Sequence, residues 1–556
     1  MRICCGIRDG KLMRNKAYYG SKYLLLAYLL VTVAWPVVHL FGTIRGEHIR
    51  QIVTSVQFLP MLQNSLITTA VATVISIVLS FALAWMLNRS RIRFKSVFVV
   101  LFTVPMLIPS ISHGMGLVLL FGDNGLITNL LGLNIGLYGY KGIVMGSVLY
   151  SFPVSFLMFN DSFQYEDFTV YEAAGVLGLS KWHQFVTITL PSMRRTIVSA
   201  VLAVFTMVFT DYGVPLMTGG TSMTLPVYMY REVIGMMNFS GGAVVGVVLL
   251  MPAVAAFLMD LKNSGISASG STVTKAYQIL ENRIRDVAVY VIFGIVLLML
   301  CLPICAFVLL SFVKQYPIDM SFTLGTLKKL LVSGIGMYFV NSLAVALLTA
   351  LVGTCLSYFS AYITARSGKA LPNKVLHFIS MLSLAIPGVV LGLSFVMTFQ
   401  KLPIYGTIYM LVLVNVVHFF SSPYLLAYNS LTKFNSNLED VAQSLGISRM
   451  RMLLDVYVPC TRATIVEMYS YFFVNAMITI SAVSFLINFR TTPLALMIPQ
   501  LESQSFIEGT ALVSMLILVI NLAEKGIAFF VKRTILLEDI RNGTAVEELL
   551  ETAMDQ

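Results

Sequence analysis

Charge is scarce in this sequence: Asp, Glu, Lys and Arg together make up 11% of its 556 residues, while 57% are hydrophobic. A soluble globule carries roughly twice that share of charge, so composition alone excludes one and gives an integral membrane protein. Cysteine is scarce as well. Of the six, Cys4 and Cys5 lie in the N-terminal tail, Cys301, Cys305 and Cys355 in apolar stretches and Cys460 at the end of a polar loop, which argues against an external disulfide framework. Cys301 and Cys305 share a helix face, but no His or carboxylate joins them as metal ligands would, and the six His are scattered singly. No nucleophile elbow is present. The one stretch resembling a phosphate-binding loop, "ARSGKA", has Ile363 where its first Gly belongs and Ala370 where Mg²⁺ would need Ser or Thr, so this chain holds no ATP site, cofactor or metal of its own.

What is present is a series of apolar runs, each near the 20 residues a helix needs to cross a bilayer. Twelve are expected: 23–42, 64–87, 97–121, 142–163, 195–216 and 241–260, then 287–312, 340–365, 375–400, 405–428, 464–487 and 509–531. The first is too long for a removable signal peptide and lacks a small-residue cleavage site. Placing both termini in the cytoplasm puts 28 of the 37 Lys and Arg on that side, the excess that cytoplasmic loops retain. The net charge of +11 is therefore topological, with no nucleic-acid footprint. The spans are almost free of ionisable residues, Asp211 being the main exception. That weighs against a secondary transporter, which may also be built from repeats but needs such groups for ion coupling.

The chain repeats itself. "QNSLITTA" (63–70) answers "VNSLAVAL" (340–347), "LNRSR" (87–91) answers "TARSG" (364–368), and "LIPS" (107–110) answers "AIPG" (385–388), the offset falling from 277 to 268 along the chain. The expected fold is all-α: two tandem pseudo-symmetric six-helix units, 1–261 and 284–533. They are joined by a Gly/Ser/Thr-rich cytoplasmic linker, 262–283, read as a flexible tether, and followed by an acidic tail, 534–556, read as a solvated helix rather than a regulatory element. Six crossings return the chain to its starting side, so the units share one orientation about an axis along the membrane normal.

Each unit carries a polar segment between its fourth and fifth spans, at about 164–194 and 432–463. The first contains Glu172-Ala173-Ala174, then Gly178, then Ile188-Thr189-Leu190-Pro191; the second contains Asp440-Val441-Ala442, Gly446 and Val456-Tyr457-Val458-Pro459. The first matches in full, and the second in its acid, small residue, Gly and Pro, the E-A-A, three residues, G, nine residues, I-x-L-P pattern of membrane subunits of type I ATP-binding-cassette importers, which the chain resembles along essentially its whole length. The resemblance implies two short helices joined at a Gly and docked into a groove on a cytoplasmic ATPase. It also implies two such ATPase partners, which would bind ATP and Mg, an external solute-binding protein and a bacterial inner membrane. The residues suit that role: small Ala173 and Ala174 allow close approach, Gly178 can take the positive φ that ends a helix, the acid favours a helix N-terminus, and Pro191 marks where the next span begins. The competing reading is a capped amphipathic helix lying on the membrane surface, which a second copy at the same spacing disfavours.

"DYGVP" (211–215) and "TISAVSFL" (479–486) are similar to the branch importing ferric iron, thiamine or 2-aminoethylphosphonate, and "NAMITISAVSFL" most resembles the aminoethylphosphonate members. Asp211 is expected either to line the path, where it could meet an amine or a ferric centre, or to fix the Gly213 to Pro215 break by an internal hydrogen bond.

Overall fold

Inside hydrocarbon a backbone group has no water to bond, and the described residues meet that constraint mainly with helices. The computed structural model describes residues 18, 20–132, 134–264, 275, 277–368 and 370–554. The N-terminal tail with Cys4 and Cys5, the Gly/Ser-rich part of the linker and Lys369 lie outside the described residues, as do the side chains of Leu549 and Leu550 in the tail.

Among the described residues nine helices are long and apolar enough to cross a membrane: Gly20–Gly42, Phe58–Arg89, Ser110–Leu131, Tyr140–Gln164, Lys181–Phe209, Phe239–Asp260, Arg283–Ser311, Ile335–Arg366 and Ile507–Arg541. A tenth forms if Ile408–His418 and Ser421–Thr432, bent by 52°, count as one. The stretches 375–400 and 464–487, expected as single spans, are broken. Leu371–Leu382 gives way before Pro387, which lacks an N–H and biases Ile386 away from helix, and the chain resumes as Gly388–Phe399. Arg462–Ile478 stops at Thr479, whose backbone is extended (ψ 134°). The first unit breaks at the matching places, around Pro109 and between Phe209 and Gly213. A short antiparallel hairpin, Val313–Gln315 with Asp319–Phe322, which the apolar pattern did not suggest, follows the seventh span.

The repeated "NS" pairs tie each unit's second span to the stretch that follows its fifth-span break. Asn64 Nδ2 donates to Met223 O (2.9 Å) and Ser65 Oγ accepts from Leu225 N (2.8 Å); in the second unit Asn341 Nδ2 donates to Arg490 O (2.8 Å) and Ser342 Oγ accepts from Leu494 N (2.6 Å). The broken third and fifth spans also meet face to face. A Cβ on Gly213 would collide with Ser110 Oγ, and a Cβ on Gly388 would collide with Ser481 Oγ. The same close contact is thus made twice, with Gly and Ser exchanged across it.

The units interlock. The first span of the first unit packs on Gly388–Phe399 of the second, with His39 Nδ1 3.3 Å from Thr398 Oγ1. Reciprocally, Arg283–Ser311 packs on Ser110–Phe121, and Phe293 sits edge-on to Phe98 and Phe102. Between the units Tyr212 Oη lies 2.6 Å from Ser484 Oγ, Ser112 Oγ lies 3.0 Å from Ser514 Oγ, and Asn521 Nδ2 donates to Leu107 O at 2.8 Å. Small hydroxyl side chains that bring helices close and bond across them are the usual adhesive in lipid, where hydrophobic attraction between helices is absent.

Candidate functional site

The two polar segments lie at the same end of the bundle and have the same backbone. In the first, helix Thr169–Val176 carries Glu172 in its first turn and ends at Gly178, φ +76°. Gly178 N donates to Gly175 O (3.0 Å) and Leu179 N to Ala174 O (3.0 Å), a left-handed cap that satisfies the last carbonyls. Ser180 then caps the next helix by accepting from His183 N (3.3 Å). In the second, helix Asn437–Ser444 ends at Gly446, φ +69°; Gly446 N donates to Gln443 O (3.1 Å), Ile447 N to Ala442 O (2.8 Å), and Ser448 Oγ accepts from Arg451 N (3.3 Å).

Pro191 lies in the first turn of helix Leu190–Phe209, which the chain enters without a break from Lys181. A single wide turn, Phe185–Thr189, in which Leu190 N–H reaches back to Phe185 O, makes room for a ring that would otherwise strike the carbonyl four residues earlier. Leu453–Tyr457 does the same before Pro459, with Val458 N–H on Leu453 O. One expectation needs correction: the two small residues do not both face outward. Ala173 is exposed, but Ala174 is buried, as is its counterpart Ala442, so these two serve the segment's own packing.

What juts out instead is apolar. Leu177 and Leu445, each just before the left-handed Gly, are 79% and 71% exposed, accompanied by Val176 and Trp182 in the first segment and by Val441 and Ile447 in the second. Exposed apolar side chains grouped in this way on a polar loop mark a surface that another protein can cover.

Each segment is anchored to the end of its unit's second span by an arginine. Arg89, the last residue of Phe58–Arg89, forms a buried ion pair with Glu166, whose carboxylate also accepts from Tyr171 Oη; Tyr171 Oη lies 2.8 Å from Thr189 Oγ1. Arg366, the last residue of Ile335–Arg366, clamps Glu439 through Nε (2.6 Å) and Nη2 (2.5 Å), and Tyr457 Oη donates to the same carboxylate (2.5 Å). Arg366 also donates to Phe434 O and Asn435 O at 2.9 and 2.8 Å. Burial and the adjoining Glu439 push the Tyr457 phenol up to about 12, and burial with Glu166 raises that of Tyr171, so both remain donors at neutral pH. At the offset of 268, Glu439 stands where the first unit has Tyr171, and Tyr457 stands where it has Thr189. The Arg, Glu and Tyr cluster is therefore built twice from different positions. The arginines lie in the repeated "LNRSR" and "TARSG" motifs, where the sequence marked them without showing what they hold.

The motif acids differ in company. Glu172 pairs with Lys275 of the linker (2.6 Å), whereas the exposed Asp440 has no ion-pair partner among the described residues. Asp211 lies apart from both segments, at the break of the fifth span. It accepts from Ser110 Oγ (2.6 Å), Gly213 N (3.3 Å) and Val214 N (3.0 Å), which is the internal fixing of the Gly213 to Pro215 break, and it also borders a small pocket shared with Ser65, Thr68, Thr69 and Thr224. Beside it Tyr212 stacks on Tyr230, ring centres 4.8 Å apart, and bonds Ser484 of the other unit, closing the units together at this level.

Two stretches of the chain, 76–266 and 353–535, match the family model described as binding-protein-dependent transport system inner membrane component, one in each unit and together more than half of the sequence. A putative ferric transport system permease protein of Haemophilus influenzae is 24% identical over 516 residues, covering 86% of this chain and 80% of that protein. A ferric transport system permease protein of Actinobacillus pleuropneumoniae is 24% identical over 511 residues, covering 86% and 73%. The thiamine transport system permease protein of Escherichia coli is 22% identical over 315 residues, covering 55% and 58%.

Proposed function

The chain belongs to the family of binding-protein-dependent transport system inner membrane components, and from that premise we propose that it forms the path by which ferric iron, handed over by an external binding protein, crosses a bacterial inner membrane. It is the fused permease subunit of an ATP-binding-cassette importer of the ferric iron and thiamine branch. That membership removes the secondary-transporter reading. The observation that carries the proposal is the duplicated backbone of the two polar segments: two docks of one backbone on one face suit two ATPase subunits, one under each unit, and each dock is tied by an arginine to the end of its unit's second span. ATP and Mg²⁺ act on those partners, and this chain transmits the resulting motion. The docks and both termini face the cytoplasm.

Ferric iron is favoured because the ferric relatives align with both units, whereas the thiamine relative aligns with about half of this chain. Asp211 is the charge that would meet a cationic cargo when the units part. Aminoethylphosphonate, favoured by the likeness of "NAMITISAVSFL", is the second cargo reading. Proteoliposomes holding the chain with its co-purifying ATPase and binding protein should take up radiolabelled ferric iron when ATP is supplied, without an ion gradient. Uptake of radiolabelled aminoethylphosphonate or thiamine instead would overturn the cargo, and uptake without the ATPase would overturn the mechanism.

A further inference from the structure

The linker between the units does more than join them. Beyond its Gly/Ser-rich part, it runs beneath the first polar segment and is fastened there by backbone and side chain. Phe168 N donates to Lys275 O (2.9 Å), Lys275 N donates to Asp167 Oδ1 (3.3 Å), and Lys275 Nζ bonds Glu172 Oε1 (2.6 Å). Two residues on, the Tyr277 ring lies edge-on to Phe168 and Tyr171, ring centres 4.9 and 5.3 Å away, with the Arg89 guanidinium 3.2 Å from its own centre. Further along, Glu281 pairs with Arg91, and Asp286 accepts from Arg91 N (3.1 Å). The stretch expected to be a free tether is thus held at its C-terminal part against the docking helix and against the arginine that anchors it.

The second segment has a different brace. Tyr18, at the start of the first span, meets Ser367, stacks edge-on with Tyr362 at 6.4 Å and lies under Arg449, 5.4 Å from its ring centre. Among the described residues nothing there reaches Asp440 as Lys275 reaches Glu172.

We infer that Lys275 and Tyr277 are positioning residues for ATPase coupling at the first dock: through Glu172 and Arg89 they fix the angle of helix Thr169–Val176, so the linker makes the two docks mechanically unequal. The inference rests on the reading of the segments as ATPase docks. A half-exposed ion pair has a small effect in itself, but reversing one charge converts an attraction into a repulsion at the same spacing.

The test is a charge exchange in the full chain, purified with its ATPase. Lys275→Glu should lower vanadate-sensitive hydrolysis of Mg-ATP by the complex about two- to fivefold and speed amide exchange at Phe168; Glu172→Lys should do the same. The double exchange Lys275→Glu with Glu172→Lys should restore both readouts, which a merely structural loss would not. Tyr277→Phe should behave as the parent and Tyr277→Ala as Lys275→Glu. Failure of the exchange to restore, or parental behaviour of both single reversals, overturns the inference. Gly178→Val separates the two claims: if it uncouples the complex while the reversals do not, the dock stands and the clasp falls; if it too is without effect, the dock itself falls.

Discussion

In the first unit the anchoring arginine is met by Glu166 and Tyr171; in the second it is met by Glu439 and Tyr457, which occupy other places in the register. The Ser110 and Gly213 contact is likewise remade as Gly388 and Ser481. Backbone, cap and anchor are kept in both copies, while the residues that complete each contact have moved to the other side of it. The constraint is therefore on the pair and not on the position: a buried guanidinium must find a carboxylate, and two helices at closest approach leave room for one Ser and one Gly but not for two larger side chains.

The largest expected effect comes from removing an anchor. Arg89→Ala or Arg366→Ala leaves a carboxylate uncompensated in a buried site, at about 3–5 kcal/mol. Arg366→Ala should be the worse, since Arg366 also holds two backbone carbonyls. Denaturation midpoints of the purified variants, and the ATPase recovered with them, measure this; parental stability in both would break the comparison. A graft sharpens it. Glu166→Phe with Tyr171→Glu and Thr189→Tyr writes the second unit's cluster into the first, and should be more stable than the summed single changes by about 0.5–3 kcal/mol. Additive losses would mean that the two clusters are unrelated.

Next come the caps. Gly178→Val and Gly446→Val force a β-branched residue to positive φ, about 1–3 kcal/mol of strain, or one to two orders of magnitude in ATPase association. A Cβ at Gly178 meets nothing within 4 Å in this chain, so Gly178→Asn, which tolerates that conformation, should retain the fold of the segment. Loss of association in Gly178→Asn as well would assign the glycine to close contact with the partner. Asp211→Leu removes three accepted hydrogen bonds and should cost about 0.5–2 kcal/mol, the range for lost caps. Asp211→Asn should keep assembly but lower uptake of radiolabelled ferric iron if the charge meets the cargo. Smallest of all is the exposed pair of Arg462 with Glu538 and Asp539 in the tail: Glu538→Gln should change stability by under about 1 kcal/mol, read from the same denaturation curves.

Much of this was legible beforehand. Apolar length gave the membrane class, and the internal offset gave two units in parallel. The positive φ at Gly178 and Gly446 suits the two short helices joined at a Gly that the family resemblance implied, because a left-handed cap ends one short helix and lets the next begin within two residues. The breaks in the third and fifth spans were hidden because hydropathy is blind to a Pro or Asp whose backbone consequences are absorbed locally or by a serine from another helix, as Ser110 does for Asp211 here. The wide turns before Pro191 and Pro459 are hidden for a similar reason, since five-residue registry has no composition of its own. The anchoring clusters escaped because Arg89 is 77 residues from Glu166, and the relocated Glu439 and Tyr457 leave no matching letters for a repeat to align. Lys275 escaped because a Gly/Ser/Thr-rich linker reads as slack, and one lysine in it does not announce a partner.

The central claim is that the two segments are docks of one kind. It is tested most directly by placing single cysteines at Leu177 and Leu445 in a chain whose own cysteines are replaced, and cross-linking to the co-purified ATPase. The account predicts that each site alone captures one ATPase subunit and that both together capture two on the same chain. Capture at one site only, or none at either while the complex stays assembled, would contradict it.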